Sequence, residues 1–226
     1  MTGARERAVL VTGPRVWWGA VVVLAALVVV AVGVLYGGAG GPGVVDARVG
    51  AAVDGAGSAW RDVALATDFL GEPGGAAMLV VAAAVGALVV RWPRAAVFVV
   101  AGPGLSVVAT KLLKPVVGRT IHDGHLSYPS GHTAFLTAFA LAVALLVTGR
   151  LRIGGAAGPS LVLATATAAG AAMGWAQVVL GAHYPTDVLG GWCTALAVTP
   201  ATAWMVDRAA GRRAGRMSDA PQPERR

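Results

Sequence analysis

Six apolar stretches set the limits on how this 226-residue chain can fold. In chain order they cover residues 16–36, 75–90, 95–113, 132–147, 161–180 and 188–206. A transmembrane helix needs about 20 mostly apolar residues. The pattern therefore predicts an all-α fold, a six-helix transmembrane bundle over residues 16–206. The first stretch follows basic residues and could instead be a cleaved signal peptide, but its length and the lack of a small-x-small site favour an uncleaved span.

The composition excludes an ordinary soluble domain. The chain is 56% hydrophobic and only 13% charged, whereas soluble domains carry about 25% charged residues. A net charge of +7 could indicate a nucleic-acid partner, but 13 of the 18 Lys and Arg residues lie in the N-terminal arm, two short loops and the C-terminal tail. That placement indicates membrane topology, so no nucleic-acid partner is expected.

The charges also predict which side each loop faces. With the N-terminus inside, the inner segments carry 13 basic and four acidic residues, and the outer segments carry five basic and seven acidic residues. Both termini are therefore expected in the cytoplasm: a basic arm at 1–15 and an Arg/Pro-rich tail at 207–226, expected to be disordered. The bias to Ala, Gly, Val and Arg is typical of a GC-rich genome and favours a bacterial plasma membrane. All four histidines fall at the outer face.

Three shorter segments carry local predictions. Valines at 45, 49 and 53 within an acidic region indicate a helix at the membrane interface, with a solvated loop as the alternative. Gly102-Pro103-Gly104 predicts a kink in the third span, and residues 114–131 read as a polar loop. Gly170-x-x-x-Gly174 favours close helix packing within the bundle and leaves a homodimer open.

The polar residues at the outer face fit phosphoryl transfer. His183 and Asp187 are four residues apart, one helical turn, so the carboxylate could orient one imidazole nitrogen and leave the other as a nucleophile. His132, in Pro129-Ser130-Gly131-His132, could protonate the leaving oxygen. The same chemistry needs donors around the phosphoryl oxygens. The candidates for that role are Lys114, Arg119, Ser130 and Gly131, with His122, His125 and Gln177 as further phosphate-binding candidates.

These residues resemble the signature of the type-2 phosphatidic acid phosphatase superfamily, membrane lipid phosphate phosphatases related to vanadium haloperoxidases. Its parts are Lys, six residues, Arg-Pro; then Pro-Ser-Gly-His; then Ser-Arg, five residues, His, three residues, Asp. The resemblance implies that His183 is the phosphorylated nucleophile, His132 the general acid and Asp187 the orienting carboxylate. It also implies no metal and no cofactor.

Two arginines of that signature are replaced in this chain. With Lys114 as the first lysine, Arg-Pro falls on Ile121-His122, and the later Ser-Arg falls on Ala176-Gln177. Arg119 remains in the motif loop, so we expect it to supply the main guanidinium contact to phosphate, with Lys114 as the second charge. His122 and His125 lack the carboxylate–histidine spacing of a zinc site, and a lone cysteine excludes a cysteine cluster.

The resemblance therefore implies an integral membrane phosphatase. We expect it to hydrolyse a lipid phosphate or prenyl (pyro)phosphate through a phosphohistidine, at the extracytoplasmic ends of spans three to six. Its partners would be that lipid and the bilayer. The missing arginines leave an alternative open: a catalytically weakened relative that binds lipid phosphates or scaffolds an envelope assembly. A transporter is disfavoured because the polar residues gather at one face and not at mid-membrane.

Overall fold

The computed structural model describes residues 8–9, 15–55 and 57–218. Within them the chain forms eight helices and one short antiparallel hairpin. In chain order the elements are α1 (Arg15–Leu35), α2 (Val44–Val53), α3 (Ser58–Phe69), α4 (Pro73–Val89), α5 (Pro93–Val117), β1 (Thr120–Ile121), β2 (His125–Leu126), α6 (Gly131–Leu151), α7 (Ala157–Val179) and α8 (Pro185–Ser218). The all-α fold predicted from the apolar stretches is confirmed.

Each of the six apolar stretches coincides with a helix, but fewer helices meet the length and apolarity of a span. Among the described residues, α1, α5, α6 and α7 are long and apolar enough to cross a membrane. Helix α4 has only 17 residues; together with α3, from which it is bent by 56°, it would make a fifth span. Four or five spans are therefore supported, and the count of six stays a prediction.

Several helix boundaries differ from the predicted ones. Helix α5 continues through Gly102-Pro103-Gly104 without a break and ends at Val117, four residues later than expected. The segment predicted as a polar loop contains the β1–β2 hairpin, in which Ile121 pairs with His125. Helix α8 extends to Ser218 and so includes the first part of the predicted disordered tail. The rest of that tail, 219–226, and most of the basic arm lie outside the described residues.

Helix α6 lies at the centre of the bundle. It packs against α5, α7 and α8, and it is the most buried of the four span-length helices. Helix α1 packs along α8, and the Tyr128 hydroxyl donates to the Val29 carbonyl of α1 at 2.7 Å. The first apolar stretch is thus part of the folded bundle.

The small-residue pair of α7 packs inside this chain. A Cβ atom on Gly170 would lie 2.4 Å from the Trp192 ring, and one on Gly174 would lie 2.2 Å from a Val188 methyl. Both glycines therefore allow close approach of α7 to α8. This feature gives no support to a homodimer, which stays an open prediction.

The acidic region after α1 is helical and not a solvated loop. Helices α2 and α3 contact α7 and α8, and the prediction of a helix around Val45, Val49 and Val53 is confirmed. Side-chain and backbone contacts bring the ends of α3, α5 and α7 and the starts of α4, α6 and α8 together at one end of the bundle. The predicted site residues all lie at this end, which is called the site end below.

Candidate functional site

His183 lies in the turn that leads into α8. Its imidazole is only 9% exposed, and its Nδ1 atom is 3.6 Å from Asp187 Oδ2. The same carboxylate oxygen accepts a hydrogen bond from the Tyr184 backbone N–H at 3.0 Å. The two side chains are close, but 3.6 Å is longer than a hydrogen bond. They also do not lie along one helical turn, because α8 begins at Pro185 and His183 precedes the helix.

Burial lowers the pKa of the His183 imidazole below its ordinary value of 6.5. The nearby Asp187 carboxylate opposes this effect, whereas the charges of Lys114 and His132 add to it. The ring is therefore neutral near pH 7, which a nitrogen nucleophile requires. Lys114 and His132 therefore lie near enough to His183 to affect its protonation electrostatically.

The Pro129-Ser130-Gly131-His132 segment forms the start of α6. Ser130 is the N-cap residue, and its buried hydroxyl oxygen accepts from the Thr133 N–H and hydroxyl at 3.4 and 3.1 Å. The Ser130 N–H donates to the Asp187 carbonyl at 2.9 Å and so ties α6 to α8. The backbone N–H groups of Gly131 and His132 lie in the first helical turn, where an anion can bind. Ser130 thus acts first as a helix cap, and its predicted phosphate contact stays untested.

Lys114 lies in the last turn of α5. Its Nζ atom donates to the Leu126 carbonyl of the hairpin at 2.9 Å. The ammonium group is close enough to Asp187 and His183 to interact with both electrostatically. Lys114 therefore lies where a cation could meet a phosphoryl group on His183.

Arg119 is not available in the way the sequence indicated. Its side chain is fully buried, with one guanidinium nitrogen 2.7 Å from Asp187 Oδ1 and the other 2.6 Å from Asp46 Oδ2. The Tyr36 and Tyr184 rings lie on it, with centres 4.3 and 4.5 Å from the guanidinium carbon. Two carboxylates and two rings occupy the group, so this geometry does not offer the expected guanidinium contact to phosphate.

Gln177 also has a partner other than phosphate. It is almost fully buried, and its amide nitrogen donates to Asp68 Oδ1. Asp68 lies in the last turn of α3, and together with Glu72 it faces the imidazole of His132. The His132 Nε2 atom is 3.7 Å from Asp68 Oδ1 and 3.5 Å from Glu72 Oε1. Sequence reasoning missed these carboxylates, although both lie in the acidic outer segment that it identified.

Asp68, Glu72 and His132 are the residues that could hold a cation. One ligand atom from each lies within 4.8 Å of the other two. Carboxylate oxygens and an imidazole nitrogen suit a divalent ion. The absence of a metal therefore stays a prediction. If a metal does bind, these three residues are its candidate ligands.

His122 and His125 lie on the hairpin beside the site. The His122 Nε2 atom is 2.8 Å from the Gly181 carbonyl, two residues before His183. His125 is exposed, and its Nδ1 atom is 3.4 Å from the His122 carbonyl. His122 thus borders the site through the turn before α8, whereas the contact found for His125 stays within the hairpin.

Asp46 is a further residue that the sequence did not reveal as part of the site. It lies in the first turn of α2, is almost fully buried, and accepts hydrogen bonds from Thr186 and Arg119. Burial alone would raise its pKa, but these bonds and one from the Gly43 N–H hold the pKa below its usual 3.8. Nothing in the sequence around Asp46 distinguishes it from the other acidic residues of this region, so its contacts with Arg119 and Thr186 could not be predicted.

Comparison with known proteins agrees with the arrangement of these elements. A solved structure of a transmembrane PAP2-type phosphatidylglycerolphosphate phosphatase from Bacillus subtilis superposes with a TM-score of 0.65 at 19% identity, covering 84% of this chain and 96% of that one. No curated protein sequence matches the chain significantly. The sequence model of the PAP2 superfamily matches residues 75–210, from the start of α4 to the C-terminal part of α8. Since this match covers more than half of the chain, the protein belongs to the PAP2 superfamily.

Proposed function

We propose that this protein is a membrane phosphatase that hydrolyses a lipid phosphate or a prenyl (pyro)phosphate through a phosphohistidine on His183. Family membership and the fold support a phosphatase. The observation that carries the proposal is the buried His183, paired with Asp187 and within electrostatic reach of Lys114 and His132. A lipid head group at a bilayer surface would meet the site end directly, in a bacterial plasma membrane with the site on the extracytoplasmic side.

The proposed reaction has two steps. The neutral Nε2 atom of His183 attacks phosphorus, the bond from phosphorus to the lipid oxygen breaks, and His132 donates a proton to that oxygen. Water then attacks the phosphohistidine, His132 takes the proton from the water, and inorganic phosphate leaves. Asp187 keeps the Nδ1–H tautomer and stabilises the imidazolium. Lys114 and the N–H groups of Gly131 and His132 stabilise the phosphoryl oxygens. No step needs a metal or a cofactor.

Phosphate release by the purified protein in detergent tests this proposal. The substrates would be phosphatidic acid, phosphatidylglycerol phosphate, a prenyl phosphate and a prenyl pyrophosphate. We expect the parent to release phosphate from at least one of them and His183→Ala to release none. Asp54→Ala is the control, because Asp54 is exposed in the turn after α2, and it should retain activity. Equal turnover by parent and His183→Ala would exclude the phosphohistidine mechanism.

A catalytically weakened relative that binds lipid phosphates is the second candidate, and a specific observation favours it. Arg119 is paired with two carboxylates, and Gln177 donates to Asp68. Each absent charge-assisted donor removes about 1.5–3 kcal/mol from phosphate binding. The two carboxylates beside His132 further disfavour an anion.

Restoring arginines separates the two candidates. An arginine at Gln177 alone would pair with Asp68, so the test combines Ile121→Arg and Gln177→Arg with Asp68→Asn. If the parent is the enzyme, it releases phosphate before any change, and the triple variant binds orthovanadate more tightly. If the parent releases no phosphate and the triple variant does, the weakened relative is the correct description.

A further inference from the structure

A fully buried arginine at the site end needs an explanation, because its family position suggested a role in binding phosphate. Arg119 is 0% exposed, and its guanidinium donates at 2.6 Å to the Thr186 hydroxyl and Asp46 Oδ2 and at 2.7 Å to Asp187 Oδ1. The Nε atom makes no hydrogen bond and is itself buried. For the two terminal nitrogens, reaching a phosphoryl group on His183 would require breaking these bonds and leaving two buried carboxylates without their counter-ion. Such a rearrangement is strongly unfavourable.

The two oxygens of Asp187 have different partners. Oδ1 accepts from Arg119, whereas Oδ2 accepts from the Tyr184 N–H at 3.0 Å and lies 3.6 Å from His183 Nδ1. Fixing Oδ1 therefore fixes the rotation of the carboxylate and the direction of Oδ2. An orienting carboxylate acts only when its own position is held.

Asp46 holds the opposite side of the guanidinium. Its two oxygens accept from Arg119, from the Thr186 N–H at 2.9 Å and from the Thr186 hydroxyl at 2.8 Å. Thr186 adjoins Asp187, so Asp46 binds both the arginine and the start of α8. Asp46 also lies in α2, outside the residues matched by the family model.

We propose that Asp46 and Arg119 form a positioning pair that fixes the Asp187 carboxylate against His183, and that Arg119 serves this role in place of a phosphate contact. The pair acts through Asp187 and touches neither substrate nor the reacting atoms. The proposal rests on the proposed function for its kinetic consequence, but the tautomer of His183 reports on it directly.

The kinetic test uses Asp46→Asn and Arg119→Lys. Asparagine keeps the size of Asp46 and removes its charge, and lysine keeps the charge of Arg119 and removes the fork that bridges two carboxylates. We expect each to lower kcat by about 10- to 100-fold, as loss of a group that orients a functional histidine does. KM and inhibition by orthovanadate should stay unchanged. Asp54→Asn and Arg48→Lys are matched controls on exposed residues and should leave kcat unchanged.

A phosphate contact would give the opposite pattern. Asp46→Asn would free the guanidinium and tighten inhibition by orthovanadate, and Arg119→Lys would weaken it. Lys114→Ala provides the reference for lost phosphate binding, with a higher KM and weaker inhibition. A purely structural role would lower the thermal stability of both variants without changing the kcat of the folded protein. Either pattern would overturn the proposal.

The second measurement does not depend on turnover. Nitrogen-15 NMR of histidine-labelled protein in detergent distinguishes Nδ1–H from Nε2–H, and His183→Ala assigns the signal among the four histidines. We expect the Nδ1–H form in the parent and a mixture of tautomers in Asp46→Asn. An unchanged tautomer in a folded Asp46→Asn would refute positioning. If the parent has no phosphatase activity, the proposed function fails, and the tautomer result still decides the role of the pair.

Discussion

At the scale of single residues, the protonation of His183 links the geometry to activity. Burial lowers its pKa below 6.5, because imidazolium is disfavoured in a poorly hydrated position. The neutral form, which the proposed mechanism requires, therefore persists to lower pH than in a free histidine. We expect the acidic limb of kcat/KM to fall below pH 6.5, as measured by phosphate release across a pH series.

Asp187 provides the control for that pH profile. Its nearby carboxylate raises the pKa of His183, against the lowering by burial and by Lys114 and His132. Asp187→Asn should therefore move the acidic limb to still lower pH while it reduces kcat. A limb that moves to higher pH would contradict the assignment of that limb to His183.

The carboxylates beside His132 give a second residue-scale prediction. If His132 works as the general acid without metal, incubation with EDTA should leave turnover unchanged. Glu72 is half exposed and lies 3.5 Å from His132 Nε2, so it is the natural first ligand if a cation does bind. Strong inhibition by EDTA, reversed by a divalent cation in the parent but not in Glu72→Gln, would contradict the metal-free mechanism.

At the scale of elements, the contact between the starts of α6 and α8 holds the two halves of the site together. A Cβ atom on Gly191 would lie 2.3 Å from the Ser130 carbonyl oxygen, so only glycine lets α8 approach this closely. Gly191→Ala should destabilise the protein by about 1–3 kcal/mol, the usual cost of overpacking. It should also lower kcat, because His132 and His183 would move apart.

Thermal unfolding and turnover, measured on the same detergent preparation, check this expectation. Gly86→Ala in α4 is the matched control, because a Cβ atom there meets nothing within 4 Å. Alanine in a helix is favoured over glycine by about 0.5–1 kcal/mol, so Gly86→Ala should not destabilise. Equal stability and turnover of Gly191→Ala and the parent would rule out this contact as the link between the two helices.

At the scale of the whole molecule, the charge distribution predicts the orientation in the membrane. The basic residues gather at the end of the bundle opposite the site, in the α4–α5 and α6–α7 turns and around the C-terminal end of α8. The positive-inside rule then predicts that the site end faces outside. A cysteine at Asp123, on the hairpin, should react with an impermeant reagent in intact cells. A cysteine at Ser218 should not react; both variants carry Cys193→Ser. Labelling at Ser218 and not at Asp123 would show that the topology is the reverse of the predicted one.

The sequence by itself determined the class of fold and the end of the bundle that carries the site. Hydropathy fixes where long helices form, because lipid forces each span to satisfy its own backbone hydrogen bonds. Alternating spans then bring Lys114, His132, His183 and Asp187 to one end, and local motifs identify them. These features depend on residues close together in the chain or on the surrounding bilayer, so they can be predicted from the sequence alone.

Only the tertiary structure decided which partner each buried polar group takes. Arg119 pairs with Asp46, 73 positions away, and Gln177 bonds Asp68, 109 positions away. A buried charge must find an opposite charge or a hydrogen bond, but its spacing in the chain does not specify which one. Spacing alone therefore led to the prediction that Arg119 contacts phosphate. In the structure, the packing of α2 against α8 places the Asp46 carboxylate beside Arg119, and the guanidinium charge is neutralised within the protein.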